Sequence, residues 1–201
     1  QQEGGRALER LRGGVEDAIA RLGSGFLAHP ENARLRERLR TGELTAQDYY
    51  RQLLRLAYRL IFLFAAEDRG VLLLPGAEHE PARERYLAFY STRRLREIAA
   101  ATRGTRHRDV FESLKLVMGL LGSEQGCPDL ALPPLGSFLW SDEALPDVAD
   151  AALSNAALLE AVRCLAWSAE GGALRPVDYR HLGAEELGSI YEALLEQHPQ
   201  I

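Results

Sequence analysis

The chain has 201 residues, 46% hydrophobic and 7% aromatic, enough apolar material to bury a core without disulfide or metal staples. The net charge is −5, and the two cysteines, Cys127 and Cys164, form no CxxC or Cys/His cluster, which argues against a zinc site or a disulfide scaffold. Residues 1–25 hold no apolar run and residues 60–66 are too short for a bilayer of about 30 Å, so the expectation is a soluble, cytoplasmic chain with no membrane partner.

Residues 5–22 carry Leu8, Leu11, Val15, Ala18, Ile19 and Leu22 at helical spacing. Gly13-Gly14 interrupts them, and each glycine costs about 1 kcal/mol against alanine, so a bend or break is expected there. A short charged helix follows over 30–40, with Pro30 in its first turn, and Thr41-Gly42 ends it. Thr45-Ala46-Gln47-Asp48 has the capping-box pattern, which starts a helix over 46–69. That helix is apolar on nearly every side, so it belongs at the centre of a core. Arg51, Arg55, Arg59 and Arg69 form its single polar stripe, an arc of about 80° at about 100° per residue. The stripe reads as a wet edge with stems on apolar surface, or as a grip for phosphates.

Gly70 stops the central helix and Pro75-Gly76 marks a turn. Further helices are expected over 83–90, 92–101 (capped by Ser91), 106–121, 155–167 (capped by Ser154) and 184–197. The last places Leu187, Ile190, Tyr191, Leu194 and Leu195 on one side, and His198-Pro199 ends it. Residues 122–136 form a loop rich in Gly and Pro, a soft division within one domain spanning 1–201. Val177-Asp178-Tyr179 could be extended, and no alternating run of strand length stands out. The fold class is therefore all-α, an irregular helical bundle around a central buried helix at about 46–69.

Charge is unevenly distributed. Residues 1–110 hold 20 Arg against 15 acidic residues, whereas 111–201 hold 4 basic and 14 acidic. A basic half can face nucleic acid, but most arginines are interleaved with glutamates, as on ordinary solvated helix faces. The local cluster Arg93, Arg94, Arg96, Arg103, Arg106 and Arg108 is the stronger DNA-contact candidate, because 103–108 reads as basic and flexible beside a helix start.

Glu67 and Asp68 point into apolar sectors of the central helix. A carboxylate there needs a partner. One reading is an ion pair with an arginine of a neighbouring helix, such as Arg93 or Arg94; the other is a catalytic or metal-binding pair. The five histidines show no metal-ligand spacing. There is no GxSxG, GxGxxG or GxxxxGK[ST].

Several stretches share one resemblance: YYRQLLRLAYRLIFLFAAEDRGVL, YSTRRLRE, LPPLGSFLW, NAALLEAVRCL and VDYRHLGAEELGSIYEALLEQHP. In order and spacing they resemble the helical region before the catalytic domain of large adenine-specific DNA methyltransferases. These are the single-chain type IIG restriction–modification enzymes and related phage-defence methyltransferases of the BREX and DISARM kind. The resemblance covers about residues 5–199. It implies a parent that moves a methyl group from S-adenosylmethionine to adenine in DNA, with an adjoining methyltransferase domain after Ile201 and room for a nuclease domain before. Pro133-Pro134 lies between Leu132 and Leu135, so the family's asparagine-proline-proline-aromatic tetrapeptide is absent, as is its glycine-rich cofactor loop. Flipped-base chemistry needs that set, so no catalytic, cofactor-binding or metal residue carries over. The expectation is a non-catalytic connector, holding no cofactor itself, that contacts DNA and positions the catalytic domain. The alternative is a self-standing helical scaffold for a protein partner.

Overall fold

The first helix runs unbroken through its glycines. In the computed structural model, which describes residues 2–197, α1 (Gln2–Ala28) is continuous at Gly13-Gly14, where a bend or break is expected from sequence, so the break does not occur. Packing supplies the reason. A Cβ on Gly14 would stand 2.5 Å from the Cys164 carbonyl oxygen, and one on Gly25 would stand 2.6 Å from the Ala157 Cβ. These glycines let two helices approach closely, which offsets their low helix propensity.

A 3-10 turn over Pro30–Asn32 leads into α2 (Ala33–Thr41), which Gly42 ends in the left-handed conformation at φ 78°. That is the usual glycine C-terminal stop. Thr45 then accepts from the Asp48 amide at 3.1 Å and opens α3 (Ala46–Asp68). Next come α4 (Glu80–Phe89), α5 (Thr92–Ala101), capped by Ser91, and α6 (Asp109–Gly122). Beyond the Gly/Pro loop lie α7 (Asn155–Ala166), capped by Ser154, and later α8 (Ala184–Leu195). The predicted stop at His198-Pro199 lies outside the described residues.

One small sheet departs from the sequence reading. β1 (Trp167–Glu170) pairs antiparallel with β2 (Ala173–Pro176), with Glu170 opposite Ala173. The two-residue turn is Gly171-Gly172 with φ 58° and 83°, the double positive φ of a tight hairpin turn. Trp167 therefore begins a strand rather than ending a helix, and Val177–Tyr179 lies outside the strands. The chain remains predominantly helical, and no helix among the described residues is long and apolar enough to cross a membrane.

The core has two axes. α3 buries Leu54, Leu56, Leu60, Ile61, Leu63 and Phe64 almost completely and is flanked by α1, α5 and α8. α7 is as deeply buried, through Leu158, Leu159, Val162 and Leu165, and packs on α1, α5 and α6. The irregular stretch between α6 and α7 is held to this core by side-chain amides. Gln52 accepts from the Asp147 and Val148 amides, and Asn32 brackets Ala152 by donating to its carbonyl and accepting from its amide. Every buried side-chain nitrogen and oxygen among the described residues has a partner.

Candidate functional site

The end of α3 is a junction of fixed charges. Glu67 Oε2 accepts from the Tyr86 hydroxyl (3.0 Å), the Thr92 amide (2.9 Å) and the Thr92 hydroxyl (2.6 Å), and Oε1 accepts from the Arg93 amide (3.0 Å). The carboxylate thus sits on the first free amides of α5, where the helix dipole favours negative charge. Asp68 takes the Arg96 guanidinium through two oxygens, at 2.7 and 3.1 Å. The arginine partner is Arg96 rather than Arg93 or Arg94, and Glu67 answers a helix end instead of a guanidinium. Arg96 also lies over the Phe64 ring, 4.6 Å from its centroid. The Tyr86 phenol is pushed far above its ordinary value, first by burial and then by Glu67. Both carboxylates remain partly exposed, and each has its hydrogen-bond partners within the fold.

The arginine stripe of α3 is likewise occupied. Arg59 is 6% exposed and donates to the Leu139 and Ser141 carbonyls at 2.6 and 2.9 Å. Burial lowers its pKa to about 10, partly opposed by Asp142. Arg55 donates to the Ala144 carbonyl and stands over Phe138. Arg69 donates to the Arg180 and Leu182 carbonyls, while Arg51 faces Asp48 at 3.6 Å. The wet-edge expectation therefore fails for Arg59. Its face of α3 is covered by the 137–145 segment, whose turns leave carbonyls that a guanidinium fork can satisfy.

The DNA-contact candidates divide by how they are held. Arg96 is held by Asp68, while Arg93 faces Glu97 at 3.8 Å and Arg108 pairs with Glu31. Arg94, Arg103 and Arg106 are exposed and have no side-chain hydrogen bond or ion pair among the described residues. The loop carrying the last two is built rather than loose. Its Thr105 and His107 carbonyls accept from the Ala156 and Asn155 amides at 2.9 and 2.6 Å. Gly104 has φ 84°, and a Cβ there would stand 2.8 Å from the Ala156 nitrogen. Asn155 completes the lacing by accepting from the Val110 amide and donating to Thr105 Oγ1 and to Asp109. That last bond holds the Asp109 carboxyl below its ordinary range. The same loop carbonyls engage the start of α7.

A second feature has no counterpart in the sequence reading: an open apolar groove of about 630 Å³ between α3, α8 and the 133–139 segment. α8 runs antiparallel to α3. The Tyr50 hydroxyl reaches the Leu194 carbonyl, Tyr58 reaches Leu187, and Arg69 reaches Leu182. Phe62, Val71 and Phe138 line this groove while 39%, 69% and 55% exposed. The available signal was the all-round apolarity of α3 beyond what its core contacts use. No group of three or more His, Cys, Asp or Glu side chains among the described residues could hold a metal ion.

No family model matches the chain, and no curated protein or solved structure matches it.

Proposed function

We propose that this chain is a non-catalytic helical segment of an adenine-specific DNA methyltransferase of the type IIG or BREX/DISARM-like kind, one that touches the DNA backbone and positions the S-adenosylmethionine-dependent domain. The reading rests on the resemblance of segments around α3, α5, α7 and α8. The observation that carries it is the sorting of arginines. Many guanidiniums hold internal carbonyls, whereas Arg94, Arg103 and Arg106 stand exposed on α5 and its pinned following loop. A rigid loop presenting unspent guanidiniums suits phosphate oxygens.

Fluorescence anisotropy with a labelled DNA duplex tests it. Binding is expected at low salt and should weaken with a log–log slope of about −0.9 per phosphate met, so near −3. Replacing Arg94, Arg103 and Arg106 by alanine should remove most of that slope. Absence of binding at low ionic strength refutes the DNA contact, and methyl transfer by this chain alone refutes the non-catalytic assignment. The open groove favours a second reading, a scaffold for a protein partner.

A further inference from the structure

We propose that the groove between α3 and α8 seats an acidic amphipathic helix of a partner protein. The proposal rests on the scaffold reading and is independent of DNA contact.

Its shape comes from two antiparallel helices. On α3 the groove face runs from Arg55 through Tyr58, Phe62 and Ala66 to Arg69, a rise of about 21 Å at 1.5 Å per residue. That is four turns of helix. Two adjacent helices make a trough into which a third can pack, with axes about 8–10 Å apart. Small side chains in the walls, Ala65, Ala66 and Ala184, permit that approach. Gly188 contributes most: it lies mid-helix in α8, and apart from its own turn of helix no described atom stands within 4 Å of where its Cβ would be. The monomer does not use the space that this glycine leaves. Phe62 and Phe138 are partly exposed on the groove, where they can anchor apolar side chains spaced i, i+3 or i+4, and i+7.

The rim charges choose the partner. Arg55 and Arg69 stand at opposite ends of the α3 face. Arg55 spends only Nη1 on the Ala144 carbonyl, and Arg69 spends Nε and Nη2 on the Arg180 and Leu182 carbonyls. Both keep donors for a carboxylate. Glu192 is the one carboxylate lining the groove among the described residues, so guanidiniums outnumber it. A helix with acidic residues near both ends, four turns apart, meets the two arginines while its apolar stripe fills the trough.

The probe is a fluorescein-labelled amphipathic helical peptide of about 18 residues, with a leucine stripe and glutamates near each end. A second peptide keeps the leucines and carries lysines instead. Anisotropy is read on the full chain without DNA. The acidic peptide is expected to bind at least about tenfold tighter than the basic one, and Gly188→Phe to weaken it by about tenfold or more. Equal affinity for both peptides, no binding of either, or binding unchanged by Gly188→Phe overturns the proposal. The peptide comparison uses the wild-type chain and so stands even if the variant folds poorly. A wild-type dimer seen by light scattering that Gly188→Phe makes monomeric would assign the groove to a second copy. That result keeps the groove as an interface and overturns the acidic helix.

Discussion

Replacing Glu67 by glutamine exchanges one oxygen for an amino group and should cost far more than an average surface mutation. The carboxylate accepts four hydrogen bonds, three on Oε2 and one on Oε1. A glutamine can keep its carbonyl where Oε2 stands, but its amide then faces the Arg93 amide donor to donor. One charge-assisted bond is lost, and the remaining three become neutral. Bonds to charged groups contribute about 1.5–3 kcal/mol and neutral ones about 1; at the low end, with Glu67 only partly buried, the lost bond takes about 1.5 kcal/mol and the three neutralised ones about 0.5 kcal/mol each, about 3 kcal/mol together. Tyr86 and Thr92 are 0% and 1% exposed, so solvent does not restore the three weakened bonds, whereas the exposed Arg93 amide can turn to water. In a chain of this size such a loss lowers Tm by about 5–10 °C. Glu67→Ala, which orphans every donor, should cost about 4–5 kcal/mol. Urea unfolding followed by circular dichroism measures both. Hydrogen exchange should show the Arg93 amide losing protection in the glutamine variant while the Thr92 amide keeps its acceptor. A Glu67→Gln protein with wild-type stability would refute the assignment of Glu67 as the cap of α5.

Alkaline pH should unfold the protein cooperatively. Burial raises the Tyr49, Tyr58, Tyr86 and Tyr179 phenols above their ordinary 10.0. Raised values give stability that is complete below pH 10 and lost above it, at about 1.4 kcal/mol per pH unit for each phenol. Arg59, lowered to about 10, contributes in the opposite sense with the weight of one group. The net loss of about 4 kcal/mol per pH unit exhausts a stability of about 5–15 kcal/mol within a few units above pH 10. Tyrosinate absorbance at roughly 295 nm should rise together with loss of helix; buried phenols titrating near pH 10 in an intact fold would contradict this. Gly25→Ala should destabilise by about 1–3 kcal/mol through overpacking, since its Cβ would meet Ala157 and Leu153, whereas Gly13→Ala, with nothing within 4 Å, should stabilise by up to about 1 kcal/mol. Thermal melts that rank the two alike would dismiss the close-packing role. Asn32→Ala removes bonds to the Phe26 carbonyl and to both backbone groups of Ala152 and should cost about 3 kcal/mol; urea melts check this, and a loss below about 1 kcal/mol counts against the staple.

Helix starts were legible because they are local. Thr45, Ser91 and Ser154 each bond an amide three residues on, a geometry that depends on sequence alone. α6 begins at 109 rather than 106 because the intervening residues lace onto α7, and that partner lies nearly fifty positions away. The hairpin was missed although Gly171-Gly172 marks its turn, since WSAE and ALRP lack an apolar alternation and β2 is exposed throughout. The helical wheel showed that Glu67 and Asp68 face inward. It could not show which helix would answer them, because the α5 amides and Arg96 arrive by tertiary packing.

The same limit explains why the arginine count overstates the guanidiniums free to bind an outside group. Arg59, Arg69, Arg83 and Arg163 each span two carbonyls: Leu139 and Ser141, Arg180 and Leu182, Leu74 and Gly76, Ala99 and Thr102. Arg36 does the same where α1 ends, at Leu27 and His29. Backbone carbonyls at helix ends and tight turns have no ladder partner, and they carry no side-chain signature that a sequence could display. A lysine ammonium is a compact point charge, whereas the rigid guanidinium fork can bridge two such oxygens, consistent with a chain that has one lysine and 23 arginines. The basic N-terminal half is therefore in good part internal scaffolding. A guanidinium on a neutral carbonyl keeps its charge but has fewer donors to offer, so direct contact with an outside phosphate falls first to Arg94, Arg103 and Arg106, which have no oxygen partner among the described residues.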